Sequence, residues 1–453
     1  MCGILGIISK TTDIPVKMYE GLTYLQHRGQ DSAGICNDNF CVKNNGMIKD
    51  VFNEKELDKL KSNICIGHVR YRTAGNFNES SIQPLIIESN ETRISLSHNG
   101  NITNLDYIEN IIGKKSNMTD SMLLLELFYF KFKESKFEKT YENIFNIIEF
   151  IIKNVNGSYS VLIIVKDFGM ITFRDRFGIR PLVYGINNND YIISSESVAI
   201  DILGFDLIRD VKPGEIIIFE KDCYPRFHIF NNSELYPCLF EYIYFARIDS
   251  ILNGISIYEA RYELGKLLGE KIKKLQINDI DMIIPVPDSS LIFGLGLQES
   301  LNVNLKYGLV KNSYIDRTFI MKDDKIINKS IKRKLNLVKN IITNKNILII
   351  DDSVVRGNTS KHIVQLAKNA GAKKIYMASG APPILFPNKY GIFIESKKEL
   401  IAVDRTFKDI ADIIGCNKII YNNLDEITTC LTNMNNEIKG FETSMFNDVH
   451  LFD

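Results

Sequence analysis

Neither sign of charge predominates in this chain: among its 453 residues, 55 Lys and Arg face 55 Asp and Glu. A chain without net charge offers no basic field for nucleic acid or an anionic membrane, so neither is an expected partner. Long apolar runs are missing as well. The greasiest stretches, 121–130 and 144–152, are short and carry Glu126 and Glu149, far from the roughly 20 apolar residues of a membrane span. Cysteine is too sparse for a disulfide scaffold: there are eight, with no C-x-x-C and with Cys36 and Cys41 as the closest pair. The opening MCGILGIISK lacks the basic start, apolar core and small-residue cleavage site of a secretory signal. These absences describe a soluble protein of a reducing compartment, with the cytoplasm as the expected location.

What is present is enough apolar surface for sizeable cores. At 45% hydrophobic and 10% aromatic the chain is not disordered, and a length of about 150 residues per domain suggests two or three domains. The first half reads as short strands at 2–8, 158–165, 170–173, 182–184, 191–194 and 215–219, separated by Gly, Asn or Asp. Helical spacing covers 16–26, through Met18, Leu22 and Leu25, and returns over 122–152. The second half alternates strand and helix. Strand candidates are 282–286, 346–350 and 375–378. Between the last two, Ile363, Leu366, Ala367 and Ala370 recur at helical spacing, with Gly371 where a C-terminal cap belongs. Such alternation implies a parallel sheet. The expectation is α+β followed by α/β, divided near 231–237 into domains 2–232 and 233–453.

Cys2 follows the initiator Met, and a small second residue permits Met removal. That would leave a thiol beside a free α-amine, which titrates at roughly 7.7–8.0 and can act as the thiol's own base. Taken alone, Cys2 reads more simply as a core cysteine in a first strand. Its surroundings change the reading. Leu25-Gln26-His27-Arg28-Gly29-Gln30-Asp31, Gly67-His68-Val69-Arg70-Tyr71 and Ser97-His98-Asn99-Gly100-Asn101 follow in order. With Met1-Cys2-Gly3-Ile4, these strings resemble the N-terminal-nucleophile glutamine amidotransferases over most of residues 2 to 230. The resemblance implies a sandwich of β-sheets flanked by helices. It assigns Cys2 as nucleophile, the Asn99 amide and the Gly100 N–H as oxyanion donors, Arg70 as clamp for the glutamine α-carboxylate and Asp120 as clamp for its α-ammonium. Singly, Arg70 reads as a surface ion pair and Asn99-Gly100 as a hairpin turn. His27, His68 and His98 read as structural hydrogen-bonders. Arg72 stands where that family usually has Pro.

The second half has its own signature. Asp351 and Asp352 end an apolar strand, and Ser353, Val354, Val355, Arg356, Gly357, Asn358, Thr359 and Ser360 form a turn that opens a helix. Backbone N–H groups and the helix dipole make such a turn an anion site, and paired acids suit sugar hydroxyls near a divalent cation. The bland alternative is an Asp pair capping a helix. No Walker loop is present. The string resembles the phosphoribosyl pyrophosphate (PRPP) loop of type I phosphoribosyltransferases. By that resemblance Asp351 and Asp352 bind ribose and metal, residues 353 to 360 cradle the 5-phosphate, and Ser289 in Pro285-Val286-Pro287-Asp288-Ser289-Ser290 joins the metal shell. Lys311-Asn312-Ser313-Tyr314, Arg317-Thr318-Phe319 and Lys332-Arg333-Lys334-Leu335-Asn336 resemble the mobile flap of that class, with Lys311 and Lys332 on PRPP. A solvated basic loop is the alternative.

Together the two halves resemble the glutamine–PRPP amidotransferase family along nearly the whole chain. Asp175 to Leu182, Ser194 to Ser197, Val211 to Glu215 and Pro237 to Ser250 match as well, although Arg176 and Phe177 replace the usual Pro-Asn or Pro-His. The resemblance implies glutamine and PRPP as substrates, one Mg²⁺ per subunit, purine nucleotides as feedback inhibitors and a homodimer or homotetramer. Some relatives carry a propeptide and an iron–sulfur cluster. Neither is expected here, because Cys2 follows Met1 and only Cys238 stands at a cluster-like position, while 386–391 has no Cys. Two alternatives are a PRPP-sensing regulator with lost coupling and a nucleobase phosphoribosyltransferase with an appended amidase-like module.

Overall fold

The computed structural model describes residues 2–11, 13–71, 81–115, 118–220, 224–312, 335–394 and 396–452. The elements that position the functional residues are, in chain order, β1 (Gly3–Ile8), α1 (Ile14–Tyr24), β2 (Ile64–Arg70), β3 (Arg93–Ile102), α2 (Asp120–Glu134), α3 (Tyr141–Asn154) and β4 (Gly157–Val165). The second half adds α4 (Ile257–Lys274), β5 (Met282–Pro285), α5 (Leu291–Leu301), β6 (Asn346–Asp351), α6 (Asn358–Asn369), β7 (Lys374–Ser379) and β8 (Lys418–Tyr421).

Two antiparallel sheets face each other in the first half. One runs Asp206–Asp210, Val183–Asn187, Asp190–Ser194, β1, β2, Ser32–Asn37, Cys41–Asn45; the other runs Arg226–Ile229, Glu215–Glu220, Gly169–Arg174, β4, β3, Leu85–Glu88. The period of two in β1 explains the layering. Ile4 and Ile8 point between the sheets onto Leu162, Ile164 and Met170, while Leu5 and Ile7 point outward onto Met18 and Leu22 of α1. On the far side, α2 and α3 cover the second sheet through Leu124, Phe128, Ile148 and Ile151. The order is helix, sheet, sheet, helix.

The helical pattern over 122–152 forms two helices. The periodicity over 122–152 is interrupted because Lys136 and Phe137 take left-handed φ of 56° and 58°, and Thr140 then caps α3 through the Asn143 N–H. A second difference concerns Cys36 and Cys41, which form a disulfide. They oppose each other across a hairpin with Cα atoms 4.0 Å apart, a proximity that composition and the expected reducing compartment did not indicate.

The second half holds a parallel sheet in the order β5, β6, β7, β8. Alternation works again. Ile347 and Ile349 face Ile363 and Ala367 of α6, while Leu348 and Ile350 face Leu264 of α4 and Phe293 of α5. Helices therefore cover both faces, as a buried parallel sheet requires. Between the sheets of the two halves, a short π-helical turn, Glu241–Phe245, is buried in a core shared with α1 and α4. Among the described residues no helix is long and apolar enough to cross a membrane.

Candidate active sites

Cys2 stands at the head of β1, half-buried at the edge of the sandwich. Its backbone nitrogen donates to Asn99 Oδ1 at 3.1 Å, and the Ser195 hydroxyl accepts from the next strand N–H, that of Ile4, at 3.0 Å. Asn99 is fully buried, and its Nδ2 has no partner among the described residues. An amide so placed is a donor awaiting an acceptor, since a buried unpaired donor is costly to keep. Gly100 follows with φ +155°, and a Cβ there would lie 1.9 Å from the Ser158 carbonyl oxygen. Only glycine fits this close strand approach.

The two proposed substrate clamps stand at the ends of different elements. Arg70 closes β2 and donates to the Ser81 hydroxyl. Asp120 opens α2, where its Oδ2 accepts from Ile102 N–H at 3.3 Å and lies 3.8 Å from His98 Nδ1. A helix start favours a carboxylate electrostatically. Gln83 links the β3 strand to the start of α2: it accepts from His98 N–H at 2.7 Å and donates to the Ser121 hydroxyl at 3.1 Å, which lies 2.8 Å from His98 Nδ1. Burial pushes His98 below its ordinary value, and burial with the Arg70 charge pushes His68 down to about 3. Both imidazoles are neutral near pH 7. Gln83 belongs to no sequence string above, so only the fold brings it here.

In the second half, Asp351 ends β6 and Asp352 follows it into the turn. Burial pushes Asp351 well above the carboxylate range, and the neighbouring Asp352 charge adds to the push. Burial raises Asp352 too, opposed by hydrogen bonds from Ser289 and Ser353 and by the Arg261 charge. Ser290 donates to Asp351 Oδ1 at 3.3 Å and Ser353 to Asp352 Oδ1 at 2.7 Å. Gly357 takes φ +78° to enter α6, whose first turn has no side-chain cap among the described residues. Its leading N–H groups are open to an anion. Val354 is buried and Val355 partly so, leaving only their backbone for a ligand. Arg356 pairs with Glu399, its Nε 2.7 Å from Oε2. Lys311 Nζ is 2.6 Å from Asp288 Oδ2, beside the Pro287–Asp288 cis peptide. Lys332, the other expected flap residues from Ser313 to Lys334, and Arg72 lie outside the described residues.

Among the described residues no group of three or more His, Cys, Asp or Glu could hold a metal. Asp351, Asp352 and Ser289 nevertheless form a set of hard oxygen donors, and two adjacent carboxylates raised by burial are the environment that a divalent cation relieves. Mg²⁺ commonly binds through one or two carboxylates plus substrate oxygens, and the residues fit that pattern. Cys238 is buried, and burial pushes its thiol up to about 12.

Residues 68–201 match the glutamine amidotransferase domain family and residues 256–380 the phosphoribosyl transferase domain family. The chain is 40% identical to the amidophosphoribosyltransferase of Pasteurella multocida (strain Pm70), over 100% of this chain and 93% of that relative. It is 41% identical to the amidophosphoribosyltransferase of Escherichia coli (strain K12), over 100% of this chain and 92% of that relative. Among solved structures, it superposes on the glutamine PRPP amidotransferase from B. subtilis complexed with ADP and GMP with a TM-score of 0.87. That match has 30% identity and covers 100% of this chain and 98% of the other.

Proposed function

This chain belongs to the amidophosphoribosyltransferase family, and from that premise we propose a division of labour among its own residues. The reaction converts glutamine, PRPP and water into 5-phospho-β-D-ribosylamine, glutamate and pyrophosphate, the first committed step of purine biosynthesis. Residues 2–232 carry glutamine cleavage and 233–453 carry phosphoribosyl transfer.

Once Met1 is removed, the Cys2 α-amine takes the thiol proton and the thiolate attacks the glutamine side-chain amide. Asn99 Nδ2 and the Gly100 N–H receive the oxyanion, while Arg70 and Asp120 hold the two ends of the amino acid. Ammonia leaves with the proton returned by the amine, and water then cleaves the thioester to glutamate. The observation that carries this reading is Asn99 Nδ2, unpartnered among the described residues, beside the hydrogen bond from Cys2 N to Asn99 Oδ1.

Ammonia attacks C1 of PRPP and pyrophosphate departs. Asp351 and Asp352 hold the ribose hydroxyls, and the 353–360 backbone with the Ser353, Thr359 and Ser360 hydroxyls holds the 5-phosphate. Asp351, Asp352 and Ser289 would hold Mg²⁺, which when bound neutralises charge on the departing pyrophosphate. Lys311 and Lys332 contribute from the flap. The B. subtilis relative complexed with ADP and GMP supports purine nucleotides as inhibitors of this chain. A cytoplasmic location and a homodimer or homotetramer belong to the same proposal.

The test is pyrophosphate release from PRPP and Mg²⁺ with glutamine or ammonium as donor. The native chain is expected to use both, and Cys2→Ala only ammonium. Glutamine hydrolysis without PRPP consumption would remove the transferase half of the reading.

A further inference from the structure

A cluster of buried charge runs from the Cys2 carbonyl into the second half, where the two halves meet. Arg28 donates through Nε to the Cys2 carbonyl oxygen at 2.9 Å. The rest of its guanidinium is held by Glu241, with Nη2 to Oε1 at 2.7 Å and Nη1 to Oε2 at 3.1 Å, and by Glu196. All three side chains are buried. Arg28 and Glu196 come from the first half, and Glu241 comes from the start of the π-helical turn in the second. A buried ion pair is weak evidence for stability, because apolar replacements often serve as well. What two-pronged pairing does supply is geometry.

The same junction reaches the oxyanion strand. Arg180 Nη1 lies 3.5 Å from Glu241 Oε1, and its Nε donates to the Tyr390 carbonyl oxygen at 2.9 Å. That carbonyl also accepts from Ser158 at 2.8 Å, and the Lys389 carbonyl accepts from Asn101 Nδ2 at 2.8 Å. The second half therefore reaches the Cys2 peptide through Arg28 and touches directly the strand that carries Gly100.

We propose that Glu241 is a positioning residue for glutamine cleavage: beside Glu196, the second half supplies the two-pronged carboxylate that orients Arg28 on the Cys2 carbonyl, so the nucleophile is fully seated only when the halves are docked. The inference rests on Cys2 being the nucleophile. Without the Glu241 fork, Arg28 keeps only Glu196 and its hold on the Cys2 carbonyl loosens, while Arg70 and Asp120 still hold glutamine. The defect then falls on kcat rather than on KM.

The test uses the full chain as native protein, Glu241→Gln and Cys2→Ala, measuring pyrophosphate release with glutamine and with ammonium. Glu241→Gln is expected to lower kcat with glutamine by about tenfold or more, with KM for glutamine within about threefold and the ammonium rate within about twofold of native. Parallel loss of both rates, or an unchanged glutamine rate, overturns the inference. If Glu241→Gln does not fold, Glu241→Asp keeps the charge and shortens the reach, and the same glutamine-selective loss is expected. Failure of both variants to fold makes Glu241 a stability residue and also overturns it. Glutamine use by Cys2→Ala would remove the underlying reading instead, whereas a glutamine-dead Cys2→Ala beside a native-like Glu241→Gln rejects only this inference.

Discussion

The Cys2 backbone nitrogen and the Asn99 side-chain oxygen are 3.1 Å apart, so the residue assigned to the oxyanion also holds the nitrogen of the assigned nucleophile. Asn99→Ala removes both functions. Glutamine-dependent kcat is expected to fall about 10²–10³-fold, the usual cost of losing one oxyanion donor. The ammonium-dependent rate should stay near native. Steady-state kinetics with each donor decide it, and equal loss with both would assign Asn99 to folding.

Gly357 enters α6 at φ +78°, and a Cβ there would meet Ile401 Cδ1 at 2.3 Å. Gly357→Ala is expected to cost about 1–2 kcal/mol of stability from the backbone conformation alone. Because the strain falls on the phosphate turn, KM for PRPP should rise while glutaminase turnover does not change. Thermal unfolding and PRPP titration measure the two effects separately.

Asp351 and Asp352 both sit above the ordinary carboxylate value of 3.8, chiefly through burial. A raised carboxylate contributes stability that is fully present below 3.8 and lost as pH climbs through its folded value. A cation that prefers the ionised pair must displace those protons. Binding of Mg²⁺ with PRPP is therefore expected to release protons in mildly acidic solution and to tighten as pH rises. Calorimetry in buffers of different ionisation enthalpy reads the release, and Asp352→Asn should diminish it. Proton-neutral binding throughout that range would contradict the assignment.

Glu196 behaves oppositely. Burial would raise it, but His27 and Arg28 outweigh burial and hold it well below its ordinary 4.5. Its stabilisation is present above 4.5 and is lost as pH falls toward its depressed folded value. Glu196→Gln is expected to lose roughly 3–5 kcal/mol near neutrality, the cost of breaking a buried pair. It should also show a flatter loss of stability in acid. Denaturant melts from neutral to acid pH test both the offset and the slope.

Periodicity carried much of the architecture. α1 and α6 were readable because each buries a regular face, β1 and β6 because each is a short apolar run buried on both faces, and Gly371 stops α6 with φ +80° where a cap was expected. The break between α2 and α3 was not readable, since Lys136 and Phe137 have ordinary side chains and only their backbone departs from helix. The Cys36–Cys41 disulfide depends on hairpin register, which the four intervening positions do not specify. Gln83 and Ser121 carry no signature that would bring them beside His98.

By itself the sequence determined the chemistry on offer: a thiol at position 2, a donor strand at 99–100, and paired acids before a glycine turn. These are local facts, in which neighbouring residues share one strand end or one helix start. Tertiary structure alone decided which distant groups meet. It set Asn99 against Cys2 across 97 positions and Glu241 against Arg28 across 213. It also left Asn99 Nδ2 unpaired among the described residues and pushed Asp351 upward. Burial and long-range pairing depend on how sheets and helices close over one another, and that closure is a property of the packed chain rather than of any segment in it.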